Sequence, residues 1–214
     1  MLRGMVRWPS FGGVILAAGE SSRMGRDKAL LPWPPQGPGY PPSSETFLSS
    51  AIRSLAFSTD FVIVVGGANE PTLAPIVYGI GATIVANPDP SLGQFSSLQI
   101  GINEVLNRGR DAAIITLVDR PPARVVTVEK LRTSFANAAE GIWAVVPEYC
   151  GEHGHPYVIG RELMTVFLEA PASANARDIE HANPQHIQYV AVDDPFVAMN
   201  VNTPEDYAAL AAKV

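Results

Sequence analysis

The densest chemistry in the chain lies in thirteen consecutive residues, L-A-A-G-E-S-S-R-M-G-R-D-K, from Leu16 to Lys28. After Leu16, the small residues Ala17, Ala18 and Gly19 let a ligand approach the backbone closely, and successive N–H groups in such a turn bind anions. Ser21 and Ser22 add hydroxyl donors, Gly25 adds a second position without a side chain, and Arg23 and Lys28 would neutralise a polyphosphate. The run lacks the lysine–serine/threonine ending of a P-loop and the spacing of a G-x-G-x-x-G fingerprint, so an ordinary glycine-rich turn stays open as an alternative.

Two more residues have the chemistry of a divalent-cation site. Asp119, in L-V-D-R-P-P from Leu117 to Pro122, stands where an apolar run meets a proline turn. A single carboxylate there suits magnesium, which takes one or two oxygens from the protein and the rest from phosphates and water; a turn cap is the alternative. In N-V-N-T-P-E-D-Y, from Asn200 to Tyr207, Thr203 reads as a helix N-cap with Pro204 at the first helical position. That assignment leaves Asn202 free to offer an amide oxygen. The segment N-P-D-P-S-L-G-Q-F-S-S-L-Q-I-G, from Asn87 to Gly101, puts Gly93, Gln94, Ser96 and Ser97 at a helix start, where free N–H groups meet phosphate or nucleobase edges. Simple capping by Ser96 or Ser97 is the alternative there.

These groups need a scaffold. Short apolar, β-branched runs at 13–17, 61–65, 83–86, 112–117 and 143–147, with a weaker one at 187–192, alternate with helical spacing at 46–55, 96–106, 125–138, 162–168, 174–182 and 204–212. The alternation predicts an α/β fold with a mostly parallel sheet buried on both faces. Both Asp119 and the Leu16–Lys28 run then fall at carboxyl ends of strands, where open sheets bind ligands. A chain of 214 residues is expected to form one domain, 12–214, after an N-terminal extension at 1–11. The stretch P-W-P-P-Q-G-P-G-Y-P-P-S-S forbids a helix or central strand, so 33–44 reads as an exposed loop insertion. The glycine-punctuated 149–160 reads as an excursion from the core with the pattern of a hairpin, in which His153 and His155 are expected to be solvated. Arg177 and Asp178 read as a surface ion pair, with reach to an acceptor phosphate as the alternative.

Composition excludes several classes. With 15 Lys plus Arg against 21 Asp plus Glu, the net charge of −6 gives no general footprint for nucleic acid. Hydrophobic residues at 47% and charged residues at 17% exclude a disordered chain or a coiled coil. Cys150 is the single cysteine, which rules out an intramolecular disulfide and fits a cytoplasmic location. No apolar run approaches the roughly 20 residues that span a bilayer, so no membrane association is expected.

The run L-A-A-G-x-S-x-R-M-G-x-x-K resembles, without a gap, the signature loop of nucleotidyltransferases related to the molybdenum cofactor guanylyl- and cytidylyltransferases. The resemblance covers roughly 12–212. It implies a single Rossmann-like, three-layer αβα nucleotidyltransferase domain that moves an NMP from an NTP to a phosphate acceptor and releases pyrophosphate. Arg23 and Lys28 carry over as catalytic triphosphate ligands. Leu16, Ala17, Ala18, Gly19, Gly93, Gln94, Ser96, Ser97 and Asp119 carry over as nucleotide-binding residues, and Asp119 with Asn202 as ligands of Mg2+. The Asn87–Gly101 block and Gly154-His155-Pro156 resemble the cytidylyltransferase branch, implying CTP as donor and a molybdopterin-type acceptor, with a molybdoenzyme or its chaperone downstream. The family commonly reads D-x-D-T-P-E-D where this chain has asparagine at 200 and 202. Its N-x-N-T-P resembles the guanylyltransferase branch, although that branch usually reads L-A-G-G in place of L-A-A-G. Three other readings therefore stand beside CTP-dependent transfer: a GTP-dependent guanylyltransferase, a sugar-phosphate nucleotidyltransferase, and a non-catalytic molybdenum cofactor-binding accessory protein.

Overall fold

A computed structural model describes residues 7–35 and 43–213. Residues 1–6 of the expected extension and 36–42 of the expected loop lie outside the described residues. The strands are β1 (Phe11–Ala17), β2 (Val62–Gly66), β3 (Thr83–Ala86), β4 (Ala112–Leu117), β5 (Ala144–Tyr149), β6 (Glu152–His153), β7 (Tyr157–Gly160) and β8 (Ile187–Ala191). The helices are α1 (Phe47–Ala56), α2 (Glu70–Gly79), α3 (Gln94–Asn107), α4 (Val125–Ala136), α5 (Arg161–Glu169), α6 (Ala176–Ala182) and α7 (Pro204–Leu210).

All eight strands form one sheet in the order β3-β2-β1-β4-β7-β5-β6, with β8 beside β5. Strands β3, β2, β1 and β4 run parallel, β7 is antiparallel to both β4 and β5, and β8 is parallel to β5. Alternation along β1 sends Ile15 to one face and Val14 and Leu16 to the other, and all three are buried. Ile15 joins Leu48, Ile52, Val64, Ile114 and Val128 under α1, α2 and α4. Val14 joins Ile63, Leu98, Ile102, Ile115 and Leu163 under α3 and α5. The result is the expected helix–sheet–helix sandwich. Gly101 lets α3 lie close on β1, because a Cβ there would stand 2.4 Å from Val14 Cγ1. Among the described residues no helix is long and apolar enough to cross a membrane.

Two elements depart from the sequence expectation. Helix α2 was not anticipated, because Pro71 and Pro75 interrupt its pattern and only Leu73 and Val77 are buried. Strand β7 lies inside the stretch expected to leave the core, and it fills a central place in the sheet. The hairpin expected in that stretch is present as β5 and β6, turning at Cys150 (φ 51°) and Gly151 (φ 82°). At the amino end, Ser10 and Arg7 both donate to Asp111 Oδ2, and β1 begins at Phe11.

Candidate active site

The loop after β1 turns at the carboxyl edge of the sheet and runs into a short turn of 3-10 helix, Lys28–Leu30, capped by Asp27. Apolar packing of Met24, Leu31, Phe47, Phe196, Val201 and Leu210 fixes its flank to α1 and α7. Lys28 donates its backbone N–H to Ser21 Oγ at 3.0 Å. Asn69, at the start of α2, locks the loop from the neighbouring strand. Its Nδ2 donates to Ala17 O (3.0 Å) and Asp27 Oδ2 (2.7 Å), while its Oδ1 accepts from Gly67 N–H. Neither Asn69 nor Asp27 was identified from sequence, since their pairing spans 42 positions and leaves no local pattern.

Lys28 is the electrostatic centre of this edge. Only 9% exposed, it donates from Nζ to Asn202 Oδ1 at 2.9 Å and lies 3.7 Å from Asp119 Oδ2. Two backbone contacts hold those partners. Val201 N–H donates to Asp119 O at 2.8 Å, and Asn202 N–H donates to Asp206 Oδ2 at 2.9 Å, beside the Thr203–Asp206 capping box that starts α7. The N–H groups of Asn202 and then Thr203, with the nearby Arg23 charge, hold the Asp206 carboxyl below its ordinary range.

The donor set fits magnesium. Asp119 Oδ1 is buried without a hydrogen-bond partner, while Asp119 Oδ2 and Asn202 Oδ1 both face the Lys28 ammonium. No cluster of three or more His, Cys, Asp or Glu able to hold a metal occurs among the described residues. A pair of hard oxygens that leaves most coordination positions to phosphates and water is what magnesium prefers.

Above these residues lies a cavity of about 260 Å³ lined by Ala18, Gly19, Arg23, Lys28, Gly93, Gln94, Ser97, Asp119 and Asn202, among others. Helix α3 opens onto it at Gly93 (φ 97°) with no side-chain cap, so its first N–H groups are available to an anion. The structure thus brings together most of the residues singled out from sequence. Ala17 and Ser96 do not line the cavity. The Ala17 side chain is in the core, and Ser96 Oγ is engaged by Asn87 Nδ2 and Gly93 O. Asn87 also donates to Ser97 Oγ at 2.9 Å, which makes it the organiser of this helix start.

A second, larger chamber of about 530 Å³ shares the walls Leu16, Gln94 and Leu117 with the first. His155, expected to be solvated, lines this chamber with Nδ1 buried and unpartnered. Burial and the Arg120 charge push its pKa well below the ordinary histidine value. Its backbone is drawn inward by a 2.9 Å bond to Val197 O, against which Gly154 packs so closely that no side chain fits. His153 stacks on Tyr189 with ring centroids 3.9 Å apart. Arg177 lines the chamber, and among the described residues no ion pair links it to Asp178.

Residues 13–200 match the family model described as "MobA-like NTP transferase domain". The chain is 25% identical over 195 residues to the molybdenum cofactor cytidylyltransferase of Escherichia coli K12, covering 91% of this chain and 92% of that protein. It is 28% identical over 201 residues to the molybdenum cofactor guanylyltransferase of Xanthomonas euvesicatoria, covering 92% and 93%. Among solved structures, Rv0371c from Mycobacterium tuberculosis superposes with a TM-score of 0.79 at 22% identity over 96% of this chain and all of that one. The same mycobacterial protein has been solved in complex with manganese.

Proposed function

The chain belongs to the MobA-like NTP transferase family, a family of nucleotidyltransferases, and from that premise we propose that it is a magnesium-dependent cytidylyltransferase acting on a molybdopterin-type acceptor. The observation that carries this reading is the convergence of Lys28, Asp119 and Asn202 at the mouth of a cavity closed by a basic loop and an uncapped helix start.

An oxygen of the acceptor's terminal phosphate attacks the α-phosphorus of CTP. The bond from that phosphorus to the β-bridging oxygen breaks, pyrophosphate leaves and CMP stays on the acceptor. Transfer of this kind depends on positioning and charge neutralisation, and no protein nucleophile is required. Arg23 and Lys28 hold the triphosphate, the backbone of Ala18 and Gly19 approaches its oxygens, and Gly93, Gln94 and Ser97 seat the base. Asp119 and Asn202 would hold the magnesium ion, which supplies further charge neutralisation at the phosphates when bound. The adjoining chamber takes the acceptor.

Guanylyl transfer is the second reading, favoured by asparagine at position 202 and the comparable identity to a guanylyltransferase. Thermal unfolding with CTP, GTP, ATP and UTP, each with and without magnesium, separates the two, because preferential binding to the native state raises the midpoint. A magnesium-dependent shift selective for CTP is expected, and it should disappear in Asp119→Ala. Selectivity for GTP moves the assignment to the guanylyl branch, selectivity for UTP or ATP to a sugar-phosphate transferase, and no shift with any nucleotide rejects the enzyme reading.

A further inference from the structure

The larger chamber contains polar groups that nucleotide binding leaves unused. Glu180, on α6, lines it partly buried, and among the described residues its carboxylate has no hydrogen-bond or ion-pair partner. Burial pushes its pKa up to about 7, although Arg177 pulls the other way. Tyr157 of β7, only 6% exposed, has its phenol pKa raised first by burial and then by the Glu180 charge. His155 Nδ1 and Arg120 Nε are both buried without partners. Leaving several buried polar atoms unpaired is costly, so the chamber suits a ligand that brings its own donors and acceptors.

The chamber volume of about 530 Å³ falls within the range of small-molecule sites and admits a bicyclic ring. Leu98, Ile115 and Val146 supply apolar wall for its faces. A carboxylate recognises a flat partner best through two parallel N–H bonds. A ring N–H beside an exocyclic amino group, the edge of a 2-amino-4-oxopyrimidine, offers that pair. Pterins and guanine both carry it. The loop residues Ala18, Gly19, Ser21, Arg23 and Lys28 line only the smaller cavity and Glu180 only the larger one, which separates Glu180 from the triphosphate. We propose that Glu180, with Tyr157 lining the same chamber, reads the 2-amino-4-oxopyrimidine edge of the acceptor and thereby sets the enzyme's preference for a pterin. The acceptor role rests on the nucleotidyl-transfer reading of the adjoining cleft.

The test is a fluorescence titration of the full chain with 6-hydroxymethylpterin and with 6-hydroxymethyllumazine, which carries oxygen in place of the 2-amino group. Magnesium–CTP and magnesium–GTP are titrated in parallel. The wild type is expected to bind the pterin about 10- to 100-fold more tightly than the lumazine, the range of a hydrogen bond to a charged group. Glu180→Gln should abolish that preference and leave both nucleotide affinities unchanged. Tyr157→Phe should weaken the pterin by a smaller factor, and it serves as the second variant if Glu180→Gln folds poorly. Equal binding of the two ring systems, no binding of either at millimolar concentration, or a preference that survives Glu180→Gln overturns the proposal. Loss of GTP affinity with pterin binding intact assigns the edge to guanine and overturns it equally. If no nucleotide binds while the pterin preference holds, Glu180 stands as the pterin reader and the acceptor role falls.

Discussion

Replacing Lys28 with methionine should move metal binding and nucleotide binding in opposite directions. The ammonium donates to Asn202 Oδ1 at 2.9 Å and lies 3.7 Å from Asp119 Oδ2, so a divalent cation entering at these oxygens must displace it. At that separation and an effective dielectric of about 20, the Lys28–Asp119 attraction is roughly 4 kcal/mol before desolvation is subtracted. The net worth of a hydrogen bond to a charged group is about 1.5–3 kcal/mol, or roughly 10- to 150-fold. Lys28→Met should therefore bind Mn2+ alone at least about 10-fold more tightly, while its affinity for an NTP falls by a similar factor because a phosphate contact is gone. The oxygens should keep their places, since Val201 N–H holds Asp119 O and Asp206 holds the Asn202 backbone. Free Mn2+ can be followed by electron paramagnetic resonance without nucleotide, and the NTP by displacement of a fluorescent analogue. Unchanged or weaker Mn2+ binding in Lys28→Met would falsify the displacement argument.

Asn69→Ala removes three hydrogen bonds that brace the signature loop, at 2.7, 3.0 and 3.0 Å, and should lower stability by about 2–3 kcal/mol in urea unfolding. The same variant should weaken NTP binding about 10-fold through lost preorganisation, and an unaltered affinity would show that the brace does not serve the site. Gly154→Ala places a Cβ 1.7 Å from Val197 O and should cost about 3 kcal/mol or more, a fall of roughly 6–12 °C in Tm. Gly141→Ala, at φ 88° with open space around it, should cost only about 1–2 kcal/mol, so equal shifts would refute the steric account. Because the Glu180 pKa is raised to about 7 from 4.5, the unfolded carboxyl ionises first as pH rises and stability is lost across that window. Glu180→Gln should abolish this loss and be the more stable protein at pH 8 by up to about 3 kcal/mol; identical pH profiles would contradict it. His155, with its pKa lowered, acts in the opposite sense and takes stability away as pH falls below 6.5, so the difference between the two proteins isolates Glu180.

What the sequence made legible was chemistry carried by contiguous residues. The loop from Leu16 to Lys28 can be read because its glycines, hydroxyls and cations are neighbours in the chain, and Thr203 with Asp206 because a capping box is a local pattern. Helix α2 was hidden by two prolines and a face of only two buried residues, and β7 by its four-residue length between glycines. Asn69 and Asn87 were invisible as organisers because their partners are backbone carbonyls and hydroxyls brought close only by the fold. The larger chamber had no contiguous signature, since Arg120, the near neighbours His155 and Tyr157, and Glu180 come from three separate segments.

That difference in legibility parallels a difference in how the two cavities are built, and it bears on where selectivity should reside. On the nucleotide side the protein satisfies most of its own polar groups: Asn87 holds both serines, Asn69 holds the Ala17 carbonyl, and Lys28 holds Asn202. A site whose polar atoms are already paired loses less when the wrong base enters, so its selectivity between bases should be smaller than that of a site with unpaired atoms. The chamber keeps His155 Nδ1, Arg120 Nε and the Glu180 carboxylate without partners among the described residues. A site of that kind rejects any ligand unable to pair those atoms, because they then stay buried and unsatisfied. Discrimination between CTP and GTP should accordingly be the smaller ratio, and discrimination between pterin and lumazine the larger one. The same two titrations that test Glu180 measure both ratios, and a larger ratio for the nucleotides would place selectivity in Asn87 and the start of α3 instead.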